Sequence, residues 1–371
     1  MLDRIRLVNF KCYRDAEIAL APLTVLSGMN AVGKSTILQA VNFMRQLSAR
    51  HIEIPCGLVS TEGSLVSFGT VDELINVRAP RDEETEVKIE LHGDRAADCG
   101  FLSLSRLCKD DPDSRSRLLV RGGSFPDGLL FGADFLYLGA DRLSPNEKFP
   151  FNESDEQRAL NLLGNRGEYA PWYLGLKTGI GLPNPDVRCP DSAPEQVGLE
   201  QQVGAWMSRL GREVRIWPSL YEDIKVAGVR FEFVEGVPYS PRNVGFGLTH
   251  SLPIFVALLS RPKGSIVLLE NPESHLHPKA QVAMGEFISR MVSCGIQVIV
   301  ETHSDHILNG IRLAVRRRIL VPDQVGLDFM ALDSQDGDVR PIVPRILPSG
   351  AINIWPEGFF DEYENVSAEL L

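Results

Sequence analysis

The chain has 371 residues, with 38 lysines and arginines against 49 aspartates and glutamates, and its formal net charge is −11. Its 44% hydrophobic and 23% charged residues are typical of a globular protein and exclude a fibrous or mostly disordered chain. The negative charge argues against a surface that is basic all over and wraps nucleic acid, although a local basic groove stays open.

The first predicted elements are an exposed strand pair, a buried strand and a helix. Residues 5–20 alternate apolar and polar side chains, and residues 23–26 form a continuous apolar run. Apolar residues then recur at helical spacing at Ile37, Leu38, Val41, Met44 and Leu47. The glycine-rich segment before them therefore lies between a strand and a helix.

That segment, Gly28-Met-Asn-Ala-Val-Gly33-Lys34-Ser35, matches the phosphate-loop pattern GxxxxGK[ST]. Glycines let successive N–H groups point at phosphate oxygens, Lys34 reaches the terminal phosphates, and the Ser35 hydroxyl binds magnesium. The alternative, a plain glycine-rich turn, explains the flanking strand and helix less well. The predicted nucleotide contacts are Asn30, Ala31, Gly33, Lys34, Ser35 and Thr36.

The middle of the chain is less regular. Short alternating stretches between residues 65 and 121, such as 86–91, predict antiparallel strands. Residues 152–236 combine a helical start, a proline-rich stretch and a helix at about 195–210, which favours an insertion. We therefore expect a first lobe at 1–150 with the phosphate loop, a helical or irregular insertion at 151–240, and a second lobe at 241–371.

The second lobe alternates helices and strands, a pattern typical of a largely parallel sheet. The predicted elements are a helix at 248–259, a strand at 265–269, a helix at 278–293, a strand at 297–300 and a helix at 304–319.

Both predicted strands of this lobe run into polar residues. The first ends in Glu270-Asn271-Pro-Glu273, and a carboxylate there could hold magnesium directly or through water. The second ends in Glu301-Thr-His303-Ser304-Asp305, where His303 could contact a γ-phosphate or orient the attacking water. A simpler interpretation makes this turn a helix N-cap.

Two histidines, His275 and His277, follow the first strand in the segment SHLHP. A metal site would need further ligands, so turn residues are the favoured interpretation.

Four segments together resemble the ATP-binding-cassette-type ATPases of the SMC, RecF and OLD lineage. They are LVNFKCYRDAEIALAPLTVLSGMNAVGKST, NVGFGLTHSLPIFVALL, LLENPESHLHP and ETHSDHILNGIR. A C-terminal Trp355-Pro-Glu-Gly-Phe-Phe-Asp361 resembles the WPxGFFD box of compact bacterial members of the AAA family, which include the ATPase subunit of the Septu anti-phage system. The implied fold is α/β, a P-loop NTPase of the ABC-ATPase head type, with a mixed sheet, an antiparallel β extension and a helical insertion.

The resemblance also implies roles for individual residues. Residues 244–251 correspond to the signature segment, which in this family reaches across a homodimer to the other subunit's ATP; the implied contacts are Gly245, Gly247 and Thr249. Residues 274–277 match the D-loop, and His303 matches the switch histidine. The implied catalytic residues are Glu270, Glu273 and His303. ATP and Mg²⁺ are the implied cofactors, with Ser35 and Glu270 as metal ligands. No segment between Leu47 and Asp72 clearly matches the family's glutamine loop.

One departure concerns hydrolysis. The family has two acids at the strand end, the second being the base that activates water, whereas this chain has Glu270 followed by Asn271. Because an amide cannot take a proton from water at neutral pH, either Glu270 or Glu273 serves, or hydrolysis is slow. Our hypothesis is weak turnover, with ATP acting largely to hold the dimer together.

The expected function is an ATP-switched dimer, or higher oligomer, that controls a partner effector, a nuclease, in anti-phage defence. The alternatives are a DNA repair or maintenance ATPase of the RecF or SMC type, a small-molecule kinase, and a self-contained nuclease like OLD. Roughly seventy residues follow His303, among them Asp333, Asp336 and Asp338, so we do not expect the nuclease's TOPRIM domain. DNA contact is open through Arg312, Arg316, Arg317 and Arg318, although a solvated helix end explains these arginines as well.

Two features bear on the compartment. No run of eighteen apolar residues occurs, and the charged N-terminus has no apolar segment, so we expect neither export nor a membrane partner. The cysteines lack CxxC spacing and predict reduced thiols in the cytoplasm; they are Cys12, Cys56, Cys99, Cys108, Cys189 and Cys294.

Overall fold

The computed structural model describes residues 1–48, 57–125, 134–233, 236–333 and 337–360 and the positions 366 and 370. Cys56, Asp336 and Asp361 lie outside these residues. The chain divides into two compact units. Unit 1 comprises Met1–Gly132, Gly326–Pro344 and Ile354–Leu371, and unit 2 comprises Ala133–Val325 and Arg345–Asn353. The three-lobe division expected from the sequence stays a prediction.

The elements run in the following order. The helices are α1 (Lys34–Ser48), α2 (Val71–Leu74), α3 (Asp155–Leu160), α4 (Ala170–Leu176), α5 (Leu199–Ser208), α6 (Phe246–Leu259), α7 (Pro278–Ser293) and α8 (Asp305–Arg316). The strands are β1 (Leu2–Phe10), β2 (Tyr13–Ala19), β3 (Leu23–Gly28), β4 (Leu58–Ser60), β5 (Glu86–Gly93), β6 (Gly100–Arg106), β7 (Arg117–Ser124), β8 (Phe135–Leu138), β9 (Phe149–Pro150), β10 (Arg215–Tyr221), β11 (Val226–Glu232), β12 (Pro238–Tyr239), β13 (Ile266–Glu270), β14 (Gln297–Glu301), β15 (Val325–Leu332) and β16 (Val339–Ile342). Among the described helices, none is long and apolar enough to cross a bilayer.

Unit 1 contains an antiparallel sheet with the strand order β2-β1-β5-β6-β7-β4. β1 alternates because one face is buried: Ile5 and Leu7 enter the core, while Arg6 on the other face pairs with Asp15. The predicted strand pair and antiparallel strands are confirmed. The expected start at residue 65 is wrong, since a short β4 comes earlier and α2 occupies 71–74.

Unit 1 also contains the strand run β16-β15-β3, in which β15 and β16 are antiparallel. The C-terminal box packs onto this run: the Phe359 ring is buried and meets the Phe329 ring of β15 edge to face at 5.4 Å. Trp355 lies 5.1 Å from Phe359. The box therefore anchors the C-terminal segment on β15.

Unit 2 holds the parallel strands β14-β13-β8. Residues 266–269 of β13 are fully buried, as expected of a parallel strand covered on both faces. The register pairs Glu270 with Glu301, so both strands end at the same edge. The parallel arrangement predicted for this part of the chain is confirmed.

The helices α7 and α8 pack closely through two glycines. A side chain on Gly285 would meet the Ile307 carbonyl oxygen at 2.3 Å, and one on Gly310 would meet the Val282 carbonyl oxygen at 2.2 Å. Such an approach excludes any larger residue at either position. It fixes the first turn of α8, and with it the turn before that helix.

The segment expected to form a helical or irregular insertion, residues 151–240, contains strands as well as helices. β10 and β11 form an antiparallel pair, flanked by the short β12 and β9, against which α4 and α5 pack. The alternation of β10 is interrupted by Pro218, which hid this strand in the sequence.

The cysteines that the structure describes are all free.

Candidate functional site

The phosphate loop of unit 1 depends on glycine at two positions. Gly28 has φ 134°, and a side chain there would lie 2.5 Å from the Met330 carbonyl oxygen. Gly33 has φ 94°, and a side chain there would lie 2.3 Å from Cys12 Sγ. Both positions therefore exclude other residues, by conformation and by space. The loop conformation that the motif predicts is thus tied to the strands beneath it.

Lys34 opens α1 and is almost completely buried. Its ammonium group donates hydrogen bonds to the carbonyl oxygens of Gly28 at 2.9 Å and Met29 at 2.6 Å. The Tyr13 hydroxyl donates to the Gly33 carbonyl oxygen at 3.0 Å, which fixes the other end of the loop. The charge of Lys34 is therefore held at the loop, where an anion would meet it.

The other predicted contacts of this loop lie where the sequence places them along the chain. Asn30 and Ala31 are exposed, and Ala31 has a left-handed φ of 64°. Ser35 is half-buried and Thr36 buried in the first turn of α1. Their nucleotide contacts stay predictions.

In unit 2, Glu270 ends β13 with both carboxylate oxygens bonded. Oε1 accepts from the Tyr137 hydroxyl at 2.9 Å and Oε2 from the Ala140 N–H at 3.1 Å. Burial raises the pKa of the Glu270 carboxyl, against the lowering effect of these hydrogen bonds and of Arg142. Burial and the Glu270 charge in turn raise the pKa of Tyr137, so the phenol stays a proton donor to the carboxylate.

Glu273 joins the turns that follow β13 and β14. Its carboxylate accepts from Thr302 Oγ1 at 2.7 Å and from the His303 N–H at 2.8 Å. The side chain of His303 is exposed, and Ser304 caps α8 by accepting from the Ile307 N–H at 3.1 Å. The N-cap interpretation is confirmed. It is compatible with a functional histidine, because the cap and Glu273 fix the backbone that presents the ring.

Arg142 lies at the centre of this site and was not predicted from the sequence. It is 1% exposed and donates to carbonyl oxygens of the β13 end, of α6 and of its own loop. Tyr137, also missed, lies on β8, whose apolar run ends in Gly-Ala-Asp-Arg. That change from apolar strand to polar turn was the available signal, and it resembles the one that identified Glu270.

The local backbone conformation explains why asparagine, and not glutamate, occupies position 271. Its φ is 45°, in the left-handed region that asparagine tolerates better than glutamate does. Its N–H donates to the Glu301 carbonyl oxygen at 2.8 Å, and its own carbonyl accepts from Arg142 at 2.6 Å. The residue therefore forms a tight turn at the strand end.

The segment matched to the signature begins α6. Gly245 precedes the helix and is exposed. Gly247 is half-buried, and a side chain there would place its Cβ 2.5 Å from the His275 carbonyl oxygen, so none fits. Thr249 is fully buried, so a phosphate contact from its hydroxyl would require movement of this first turn. Gly245 and Gly247 are the accessible members of the predicted set.

His275 and His277 are turn residues, as predicted. His275 has φ 62°, and His277 caps α7 by accepting from the Lys279 N–H at 3.2 Å. Within the described residues, no group of three or more histidine, cysteine or acidic side chains could hold a metal ion on its own. The Ser35 hydroxyl in unit 1 and the Glu270 carboxylate in unit 2 are each oxygen donors of the kind that Mg²⁺ prefers, and their part in binding it stays a prediction.

Two of the arginines at the end of α8 have partners. Arg317 pairs with Glu286, and Arg312 donates to the Gly350 carbonyl oxygen at 2.7 Å. Arg316 and Arg318 are exposed. The solvated helix end and the nucleic-acid contact both stay open for these two.

Three family models match parts of the chain. One described as "AAA ATPase domain" matches residues 1–96, and one described as "AAA domain, putative AbiEii toxin, Type IV TA system" matches residues 177–309. A third, "Protein of unknown function (DUF3696)", matches residues 320–370.

Among curated proteins, the OLD nuclease of Thermus scotoductus is 24% identical over 338 residues, which cover 82% of this chain and 59% of that protein. The DNA replication and repair protein RecF of Pseudarthrobacter chlorophenolicus is 32% identical over 97 residues, 26% of this chain and 22% of RecF. RecF of Paenarthrobacter aurescens is also 32% identical over 97 residues, 26% of this chain and 23% of that protein. The chain thus spans between about a fifth and three fifths of the length of these relatives.

Solved SMC heads share the fold. A head bound to the C-terminal winged-helix domain of ScpA has a TM-score of 0.53 at 13% identity, covering 92% of this chain and 97% of that one. A head with an extended coiled coil, bound to the C-terminal domain of ScpA derived from Pyrococcus furiosus, has a TM-score of 0.54 at 13% identity, covering 100% and 99%. The predicted fold class is confirmed: the chain has an SMC-head-like P-loop ATPase fold and resembles the SMC, RecF and OLD-type ATPases.

Proposed function

We propose that this protein is an ATP-binding ATPase that ATP closes into a head-to-head dimer and that hydrolyses ATP slowly. The observation that carries the proposal is the bonded turn of unit 2, in which Glu273 ties the His303 turn to the end of β13. Such a turn holds a carboxylate and a histidine in fixed positions at the carboxyl edge of parallel strands, where nucleotide chemistry is usual in α/β folds.

Each predicted residue then has a role. Lys34 and the loop amides bind the phosphates, Ser35 and Glu270 hold the metal, and His303 faces the terminal phosphate. Bound magnesium would neutralise phosphate charge during transfer. Gly245 and Gly247, at the accessible start of α6, supply the contact to the second subunit's nucleotide.

Glu270 is the stronger candidate for accepting the proton of the attacking water. Burial raises the pKa of its carboxyl, which makes the Glu270 carboxylate a stronger base than an exposed one. Glu270 would serve through its remaining lone pairs, since each oxygen accepts one hydrogen bond. Sharing one carboxylate between metal and water is consistent with slow turnover.

The proposed output is control of a partner effector, a nuclease, in anti-phage defence. The SMC heads that share the fold are bound to ScpA domains, which supports a protein partner for a head of this kind. The similarity to an OLD nuclease over 82% of this chain supports a link to nucleic-acid cleavage.

A DNA repair or maintenance ATPase is the second candidate. It is favoured by the RecF proteins, which match this chain at 32% identity over 97 residues. The two candidates differ in what the ATP-bound dimer binds: DNA for the maintenance ATPase and an effector protein for the defence switch.

The test is to measure the mass of the protein in solution with Mg-ATP, with Mg-ADP and without nucleotide, and then to isolate the proteins bound to it from its native cell. We expect a doubled mass with ATP only, and ATP-dependent capture of a nuclease. Lys34→Ala is the control, because it should stay monomeric under all three conditions. If the mass in solution were the same with and without ATP, the ATP-dependent dimer would be contradicted. If the protein bound DNA in the presence of ATP and captured no protein partner, the second candidate would be favoured.

A further inference from the structure

Arg142 is a buried cation held by main-chain oxygens. Its guanidinium group donates to the carbonyl oxygens of Gly139 at 2.9 Å and Asn271 at 2.6 Å, and also to that of Glu270. Its Nε–H donates to the carbonyl oxygen of His250 at 3.3 Å. The side chain therefore joins three segments: its own loop after β8, the end of β13, and the first turns of α6.

This geometry requires a guanidinium group. The planar fork presents five N–H donors in fixed directions, whereas a lysine ammonium is a compact charge that cannot span carbonyls on both sides. Burial lowers the pKa of Arg142 to about 10, while the charges of Glu273 and Glu270 oppose that shift, so the group stays protonated at neutral pH. Loss of any of these contacts would leave the buried charge only partly compensated.

A second set of contacts links the same two places. The Phe246 and His275 rings lie 4.2 Å apart and the His250 and His275 rings 5.0 Å apart, which packs the start of α6 onto the turn after β13. Gly247 approaches the His275 carbonyl so closely that no side chain fits. The turn after β13 and the start of α6 therefore cannot move independently.

We propose that Arg142 is a positioning residue that couples the two ATP sites of the dimer to each other. This inference rests on the proposed function, in which the β13 end serves the ATP bound by its own subunit and the start of α6 serves the ATP bound by the partner. Because Arg142 bonds both segments of one subunit, a nucleotide that shifts Glu270 and Asn271 also shifts the signature turn offered to the other site. Binding at one site then favours binding at the second.

The experiment is to measure the ATP dependence of dimer formation in the wild type and in Arg142→Lys. Two coupled sites should give the wild type a Hill coefficient above about 1.5, and the variant a clearly lower one, because only the ring contacts and the Gly247 approach would still join the two segments. Arg261→Lys is the matched control, because Arg261 is a buried arginine of the same unit whose side chain bonds Ser260 and Tyr173. It should lose thermal stability as the Arg142 variant does, yet keep the wild-type Hill coefficient.

Amide hydrogen exchange of the wild-type monomer tests the same coupling if the Arg142→Lys variant does not fold. At protein concentrations too low for dimers, saturating ATP should slow amide hydrogen exchange in residues 246–250 as well as in the phosphate loop. Protection of the loop without any change in residues 246–250 would overturn the coupling. So would a folded Arg142→Lys with the wild-type Hill coefficient. A wild type that neither binds ATP nor dimerises would instead overturn the proposed function, and the coupling with it.

Discussion

The phosphate loop of unit 1 and the acidic strand end of unit 2 are built by different means. The loop is shaped by backbone conformation, because Gly28 and Gly33 adopt positive φ values and leave no room for a side chain. The strand end is shaped by side chains, because Tyr137 and Arg142 bond it from β8 and the loop after β8, and Thr302 bonds Glu273 from the turn after β14. A backbone-built site leaves a fixed pattern in the sequence, whereas a side-chain-built site leaves scattered residues.

The largest expected effect tests the side chains of the strand end. Glu270→Gln should lower ATP hydrolysis by at least about 100-fold, the usual contribution of a general base, while ATP binding at the loop persists. Glu273→Gln should lower it less, because glutamine can still accept one of the two hydrogen bonds that hold the His303 turn. Single-turnover hydrolysis and calorimetric ATP binding would be measured on both variants. Loss of hydrolysis in Glu273→Gln with near-normal rates in Glu270→Gln would assign the base to Glu273 instead.

Much of the fold was predictable from local pattern. α1, α7, β13 and β14 lie within a few residues of their predicted bounds, because each has a clear apolar period and a polar or glycine boundary. α6 begins two residues before its predicted start and α8 ends three residues before its predicted end. Helix ends are the least determined part of such a pattern, since the final turns carry few core contacts.

The rest depends on contacts distant in sequence. β8 pairs with β13 across about 130 residues, and β15 belongs with strands from the first part of the chain. No local period encodes such pairings, so neither the place of β8 in the sheet nor the return of β15 to unit 1 could be predicted. The role of Arg142 was not predicted for the same reason, because its partners come from three separate segments.

In unit 1, the buried carboxyl of Asp328 makes the stability of the fold depend on pH. Asp328 on β15 is buried, its Oδ2 has no hydrogen-bond partner among the residues described, and burial raises its pKa to about 7. Between its unfolded pKa of about 3.9 and about 7, the folded state keeps a proton that the unfolded state has lost. Stability therefore falls as pH rises through this window, by up to about 4 kcal/mol.

Asp328→Asn should remove that dependence and be the more stable protein at pH 8. Urea unfolding of both proteins at pH 5 and pH 8 gives the difference in unfolding free energy, and the subtraction cancels the other titrating groups. Equal pH dependence in the two proteins would mean that Asp328 is ionised at neutral pH and has a partner in solution.

The backbone-built loop is tested with a pair of glycines. Gly28→Ala should cost about 3 kcal/mol of unfolding free energy, because φ is 134° and the new methyl group would meet the Met330 carbonyl oxygen. Gly179→Ala should cost only about 1 kcal/mol, since φ is 74° and nothing lies within 4 Å. Thermal and urea unfolding would be compared, with ATP affinity as a second measurement that only Gly28→Ala should lower. Equal costs would show that conformation alone, without the approach of β15, explains the loop.

The smallest expected effect is that of substituting Asn271, where both the backbone conformation and the side-chain chemistry restrict the residue. Glutamate there would restore the second acid of the family pattern, but its left-handed φ of 45° should cost about 1 kcal/mol of stability. Asn271→Gly is the matched control, because glycine accepts this φ and adds no carboxylate. If the missing acid is what slows hydrolysis, Asn271→Glu should turn over faster than the wild type while Asn271→Gly should not. An unchanged rate in a folded Asn271→Glu would place the limit elsewhere, most directly in the fixed contacts of Glu270, whose oxygens would still be held by Tyr137 and Ala140.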